Sequence, residues 1–183
     1  RPYNDRVVCH RIANTIALSS KQRELSNALV DEVIQENETS GAMVSILSHI
    51  VETRNGESGS HVQNIRNITG MLLEELMKVT DRYSFSKKEM LLICTASSLH
   101  DIGKMTVQEE ILNKPRRLTD EEFRVIKGHS MAGADMVETL RQKENVNPLI
   151  QLVYEICRWH HERYDGRGYP DGLKGEEIPI SAQ

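Results

Sequence analysis

No stretch of this chain alternates apolar and polar residues with a period of two, whereas helical spacing recurs from end to end. A chain without strand patterning has to bury helix faces against one another, so the expected fold class is all-α. Residues 5–38 read as one long polar helix, with Val8, Ile12, Ile16, Leu25, Leu29 and Val33 on related faces. That helix is too polar to be a core element, and its loose coiled-coil register predicts pairing with another chain or helix. Residues 42–54 form a second helix with Met43, Ile46, Leu47 and Ile50 as its apolar stripe. A third runs from about His61 to Lys78, with Ile65, Ile68, Leu72 and Leu76 inward. Ser86 and Glu89 have capping-box spacing and start the helix that ends in His100-Asp101. Thr119 and Glu122 repeat that spacing and start the helix expected to carry His129. Residues 103–118 read as an irregular loop, and Asn147-Pro148 starts a last helix that delivers His160 and His161.

The polar residues that stand out are of metal-ligand type. His61, the adjacent pair His100-Asp101, His129, and the pair His160-His161 follow in order. Imidazole and carboxylate ligands without thiolate suit Fe or Mn, with Zn also possible. An adjacent His-Asp pair lets one carboxylate bridge two ions, and paired ions are a standard device for hydrolysing phosphate esters. His10 and His49 lack such partners and read as ordinary histidines. The three cysteines are odd in number and without CxxC spacing, which suits free thiols in a reducing cytoplasm. No window has the ~20 apolar residues of a membrane span. A net charge of -4 disfavours broad DNA binding.

Several words resemble the HD-GYP family, a branch of the HD phosphohydrolases. They are Leu99-His100-Asp101-Ile102-Gly103-Lys104, Ile111-Leu112-Asn113-Lys114-Pro115, Leu118-Thr119-Asp120-Glu121-Glu122-Phe123, and the run from His160 to Gly175 that contains Gly168-Tyr169-Pro170. The resemblance covers Glu52 to Gln183. It implies an HD-type helical bundle with a central metal site, two or three transition-metal ions, and hydrolysis of cyclic di-GMP to linear pGpG, GMP or both. It implies metal ligation by His61, His100, Asp101, His129, His160 and His161, with Asp101 bridging. Glu57 matches a glutamate of members that bind a third metal. Lys104 matches the lysine that contacts the scissile phosphate; Gly168, Tyr169 and Pro170 match the pocket loop. Tyr169 either stacks on a guanine or packs its own loop. Lys114, with Arg116, Arg117 and Lys127, is either a substrate rim or solvated charge.

Val107-Gln108-Glu109 and Lys114-Pro115-Arg116 depart from the family words without touching a ligand. The family has a further metal-ligating aspartate beyond the equivalent of residues 178–183, so residues 41–183 are expected to be an HD-GYP domain that is C-terminally incomplete. Arg1-Pro2-Tyr3 resembles the end of a response-regulator receiver domain, and residues 1–40 are expected to be a signalling linker helix. A homodimer through that helix and GGDEF-type signalling partners are the expected associations. The alternatives are a catalytically weak module of the same fold that binds nucleotide or protein, and an HD nucleotidase acting on mononucleotides.

Overall fold

The computed structural model describes residues 14, 18, 21, 41–56, 60–142 and 147–183. The chain divides into two units, Arg1–Ala42 and Met43–Gln183, and the site lies in the second. The predicted helix over 5–38, and with it the dimer, falls almost wholly outside the described residues; residues 14, 18 and 21 are helical and exposed.

Described residues are helical, turn or irregular, with no strand among them. Helix α1 covers residues 41–54 and α2 Ser60–Val79. Helix α3 covers Lys87–Ser97, followed by a 3-10 turn at Ile102–Thr106 and a short α4, Glu109–Leu112. Then come α5 (Asp120–Lys127), α6 (His129–Arg141) and α7 (Pro148–Trp159). The capping boxes form as read: Ser86 and Glu89 cap α3, Thr119 and Glu122 cap α5. Asn147 caps α7, with its side chain accepting from the Leu149 amide and Pro148 in the first turn.

Helix α7 is the centre of the domain and packs on α3 and α6. Ala96, Ala134, Val153, Ile156 and Cys157 form the core between them. Burying Val153 and Ile156 contributes about 1.5–3 kcal/mol each, and the two alanines let the helices come close. A second cluster, Leu73, Ile93 and Cys94, joins α2 to α3.

Four expectations need correction. Met43, Ile46, Leu47 and Ile50 are the exposed face of α1; the buried face is Val44, Ser48, Val51 and Glu52. Ser48 is taken inward because its hydroxyl donates to Ser98 O at 2.6 Å. Ile68 and Leu72 of α2 are exposed, and Leu73 is the buried residue. Residues 103–118 are not all irregular, since they hold most of the 3-10 turn and all of α4. His129 does not share a helix with Asp120: the chain breaks at Gly128, and His129 opens α6.

Candidate metal centre

Asp101 lies where the chain turns out of α3, and three helix ends converge on it. His129 stands at the start of α6, and His160 and His161 follow the last residue of α7. One ligand-type atom from each of Asp101, His129, His160 and His161 lies within 4.8 Å of the others. Asp101 Oδ1 is 3.2 Å from His129 Nε2 and 3.8 Å from His160 Nε2. Asp101 Oδ2 takes His100 Nε2 at 3.0 Å and Lys104 Nζ at 2.8 Å. His61 stands beside His100, with ring centroids 6.3 Å apart. The structure therefore brings six predicted residues to one place: four in the tight group, His100 through Asp101, and His61 beyond it. Glu57 lies outside the described residues.

The histidines are oriented by main chain. His100 Nδ1 meets Ser97 O at 2.9 Å and His129 Nδ1 meets Ile126 O at 2.6 Å. His160 Nδ1 meets Ile156 O at 2.9 Å and Cys157 O at 3.1 Å. A carbonyl only accepts, so each Nδ1 carries the hydrogen and each Nε2 points a lone pair inward. His129 Nε2 and His160 Nε2 then face each other at 3.2 Å, with Asp101 Oδ1 beside them. Electron-rich atoms at that distance repel unless a positive charge stands among them. This donor set fits a metal ion, and the outer hydrogen bonds are those that normally fix metal-binding imidazoles.

Electrostatics agree with that arrangement. Burial alone would raise the Asp101 carboxyl, but the adjoining His100, His129 and Lys104 side chains hold it well below the usual carboxylate range. Burial and the neighbouring histidines push His160 down to about 3 and His161 down to about 4. Both are neutral at pH 7, the form that binds metal. For His100, burial opposes the charge, but the hydrogen bond and charge of Asp101 prevail and raise it.

The Gly-Tyr-Pro loop closes over one side. The Tyr169 ring stacks on His161, with centroids 4.5 Å apart and planes at 21°. Lys127 Nζ sits 5.1 Å from the Tyr169 ring centre and 4.8 Å from that of Phe123. A Cβ on Gly168 would meet the main chain of Glu162, Arg163 N at 2.5 Å and His161 O at 2.6 Å, so only glycine lets the loop lie this close to the histidine pair. Pro170 follows through a cis peptide bond. Lys114 is held by Glu122, with Nζ–Oε distances of 2.6 and 2.5 Å, on the side of the Thr119 cap.

Sequence reasoning missed three supports. Arg54 donates to the carbonyls of Lys104, Met105 and Val107 at 3.1, 2.7 and 2.6 Å, tying α1 to the segment after Asp101. Asp171 accepts from Arg158 Nε at 2.7 Å and Trp159 Nε1 at 2.8 Å. Glu162 Oε1 accepts from the amides of Asp171 and Gly172 at 2.7 and 2.9 Å.

Residues 45–183 match the HD domain model. The chain belongs to the HD domain family. Its similarity to the HD-GYP branch is borne out by its relatives. It is 33% identical over 190 residues to the cyclic di-GMP phosphodiesterase response regulator RpfG of Xanthomonas campestris pv. campestris, covering 100% of this chain and 47% of that protein. It is 37% identical over 139 residues to a cyclic di-GMP phosphodiesterase of Thermotoga maritima, covering 76% of this chain and 34% of that one. A 3'3'-cGAMP-specific phosphodiesterase 2 of Vibrio cholerae is 33% identical over 154 residues, with 84% and 27% covered. The chain thus spans less than half the length of these relatives. No helix among the described residues is long and apolar enough to cross a membrane.

Proposed function

We propose that this chain is the catalytic part of a metal-dependent phosphodiesterase that hydrolyses cyclic di-GMP to linear pGpG, GMP or both. The observation that carries the reading is the convergence of Asp101, His129, His160 and His161, whose ligand-type atoms lie within 4.8 Å of one another, with the Nε2 atoms of His129 and His160 face to face. Asp101 is the proposed bridge, with His61, His100, His129, His160, His161 and Glu57 as further ligands to two or three ions. Iron or manganese suits these donors best, with zinc also compatible. When bound, such ions supply Lewis acidity toward phosphate oxygens and lower the pKa of water.

The residues do the remainder. Neutral His160 and His161 keep ligand lone pairs free at pH 7. Lys104 stands at the rim of the cluster with its ammonium on Asp101 Oδ2. There it offers a fixed positive charge to phosphoryl oxygens as negative charge builds on them. Gly168, Tyr169 and Pro170 form the wall that the nucleotide meets, and Tyr169, already stacked on His161, orients that wall. Lys114 contributes to substrate binding only when it exchanges Glu122 for a phosphate.

Turnover tests the reading. Protein loaded anaerobically with Mn(II) or Fe(II) should convert cyclic di-GMP to a linear product, and Asp101→Asn should abolish this. Failure of the loaded protein to turn over cyclic di-GMP while still binding it would favour the non-catalytic module. The N-terminal residues 5–38 are proposed to pair two chains, as their polar periodicity suggests; light scattering at high concentration should find a dimer, and a strict monomer would refute it. Cytoplasmic location is proposed from the cysteine pattern, and Cys94 and Cys157 are both free.

A further inference from the structure

Helix α5 carries Phe123 and Lys127 one turn apart on the same face. That face meets the Gly-Tyr-Pro loop. The Lys127 ammonium lies over two aromatic rings, 4.8 Å from the centre of Phe123 and 5.1 Å from that of Tyr169. Ring faces attract an ammonium and fix its place, but they supply neither a full counter-charge nor an acceptor oxygen. Among the described residues no carboxylate pairs with Lys127, and its donors remain free for an anion. The other cations around the site are already met: Lys104 by Asp101, Lys114 by Glu122, Arg158 by Asp171 and Arg163 by Asp165. Phe123 is exposed despite its size, so it serves this contact more than the core.

A fixed and uncompensated positive charge at a nucleotide-facing wall suits an anionic group of the substrate. Cyclic di-GMP is a ring closed by two phosphodiester links. The cluster and Lys104 attend to the link being cleaved, which leaves the other link without a counter-charge. Asp101 takes Lys104 as its lysine partner, not Lys127. Lys127 stands instead on Tyr169, whose ring stacks on His161 at 4.5 Å. It is thus set one aromatic ring outward from the cluster, where the far part of a substrate larger than a single phosphate would lie. We propose that Lys127 binds the second phosphate of the cyclic dinucleotide, the one that is not cleaved. The proposal rests on the substrate reading given above, and the experiment separates the two.

The whole chain, loaded with Mn(II), is assayed on cyclic di-GMP and on bis(p-nitrophenyl) phosphate, a diester with one phosphate only. Lys127→Met should raise KM for cyclic di-GMP about tenfold, as the loss of one charge-assisted hydrogen bond does, with kcat changed far less. The ratio of kcat/KM for cyclic di-GMP to that for the simple diester should fall by the same factor. Added salt should narrow the gap between variant and wild type. Lys127→Arg keeps the charge and should keep the ratio. Lys127→Gln should behave as Lys127→Met does, and serves in its place if the apolar side chain disturbs folding. An equal loss on both substrates would mean that Lys127 only props Tyr169 against His161, and would overturn the proposal. So would a wild-type KM for cyclic di-GMP in the Met and Gln variants. If wild type binds cyclic di-GMP without cleaving it, calorimetry should show the same tenfold loss in Kd, and equal Kd values would overturn this proposal alone. Wild type that neither binds nor cleaves cyclic di-GMP would overturn the substrate reading, and this proposal with it.

Discussion

Gly103→Ala should damage this protein more than any single-methyl change elsewhere among the described helices. The 3-10 turn after Asp101 lies directly on the first turn of α6. A Cβ at Gly103 would fall against His129 O, 2.5 Å from Gly133 N and 2.9 Å from His129 C. All three are main-chain atoms, so no side chain can rotate away. Restoring an ordinary contact near 3.4 Å to Gly133 N requires the turn to retreat by about 1 Å. Overpacking without an escape lies at the upper end of the usual range, about 3 kcal/mol. For a chain of this size that lowers the melting temperature by roughly 6–12 °C. The retreat also carries Asp101, two residues away, off His129. A misplacement of about 1 Å at a reacting centre costs on the order of 10²-fold in rate. The assay pairs a thermal melt with metal content and cyclic di-GMP turnover. Gly70→Ala is the control: its Cβ would meet only Cys94 Sγ, at 3.5 Å. Inside α2 it should stabilise by about 0.5–1 kcal/mol. If Gly103→Ala melts within about 2 °C of wild type and keeps its metal, the packing argument is wrong.

Lys104→Ala should lower kcat for cyclic di-GMP by roughly 10²–10³ with metal content retained, since the ammonium serves developing charge; a change confined to KM would contradict this. Arg54→Met should cost about 2–3 kcal/mol, because three carbonyls near the cluster lose a charged donor; denaturant melts check it, and a midpoint equal to wild type would remove Arg54 from the support of the site. His160 is depressed to about 3 when folded, against 6.5 when unfolded, so below pH 6.5 the unfolded chain takes up the proton first. Metal-free protein should therefore lose up to about 1.4 kcal/mol per pH unit from His160 between pH 6.5 and 3. His161 acts in the same direction, and His100, whose pKa is raised, acts against both. A melting temperature flat across that window would refute the assignment of a neutral His160.

The parts legible in the sequence were those with a local mechanism. Ser86, Thr119 and Asn147 cap their helices as their spacing says, because a cap is decided within four residues. Histidines and carboxylate of ligand type in family order located the cluster. The face of α1 was not legible. Pattern favours Met43 and Ile46 as the buried side, yet Ser48 goes inward because its hydroxyl finds Ser98 O some 50 residues away, and Val44, Val51 and Glu52 are buried with it. Nor was the break at Gly128, where α5 ends and His129 begins a new helix without a proline to announce it. The pairing of Lys114 with Glu122 also depends on a loop whose course no local rule gives.

The acceptors that hold His100, His129 and His160 are the carbonyls of Ser97, Ile126, Ile156 and Cys157. Every residue has a carbonyl, so the tautomer of each imidazole is written in the course of the backbone and not in the identity of any neighbour. Side chains at these four positions are therefore free to drift for packing reasons alone without rewiring the imidazoles. A saturation scan should find Ile126 and Ile156 tolerant of other apolar residues, while proline at the positions that shape those turns inactivates. The redundancy resides in geometry, and evolution can edit the surroundings of this centre more freely than those of a centre whose histidines lean on aspartates or glutamates.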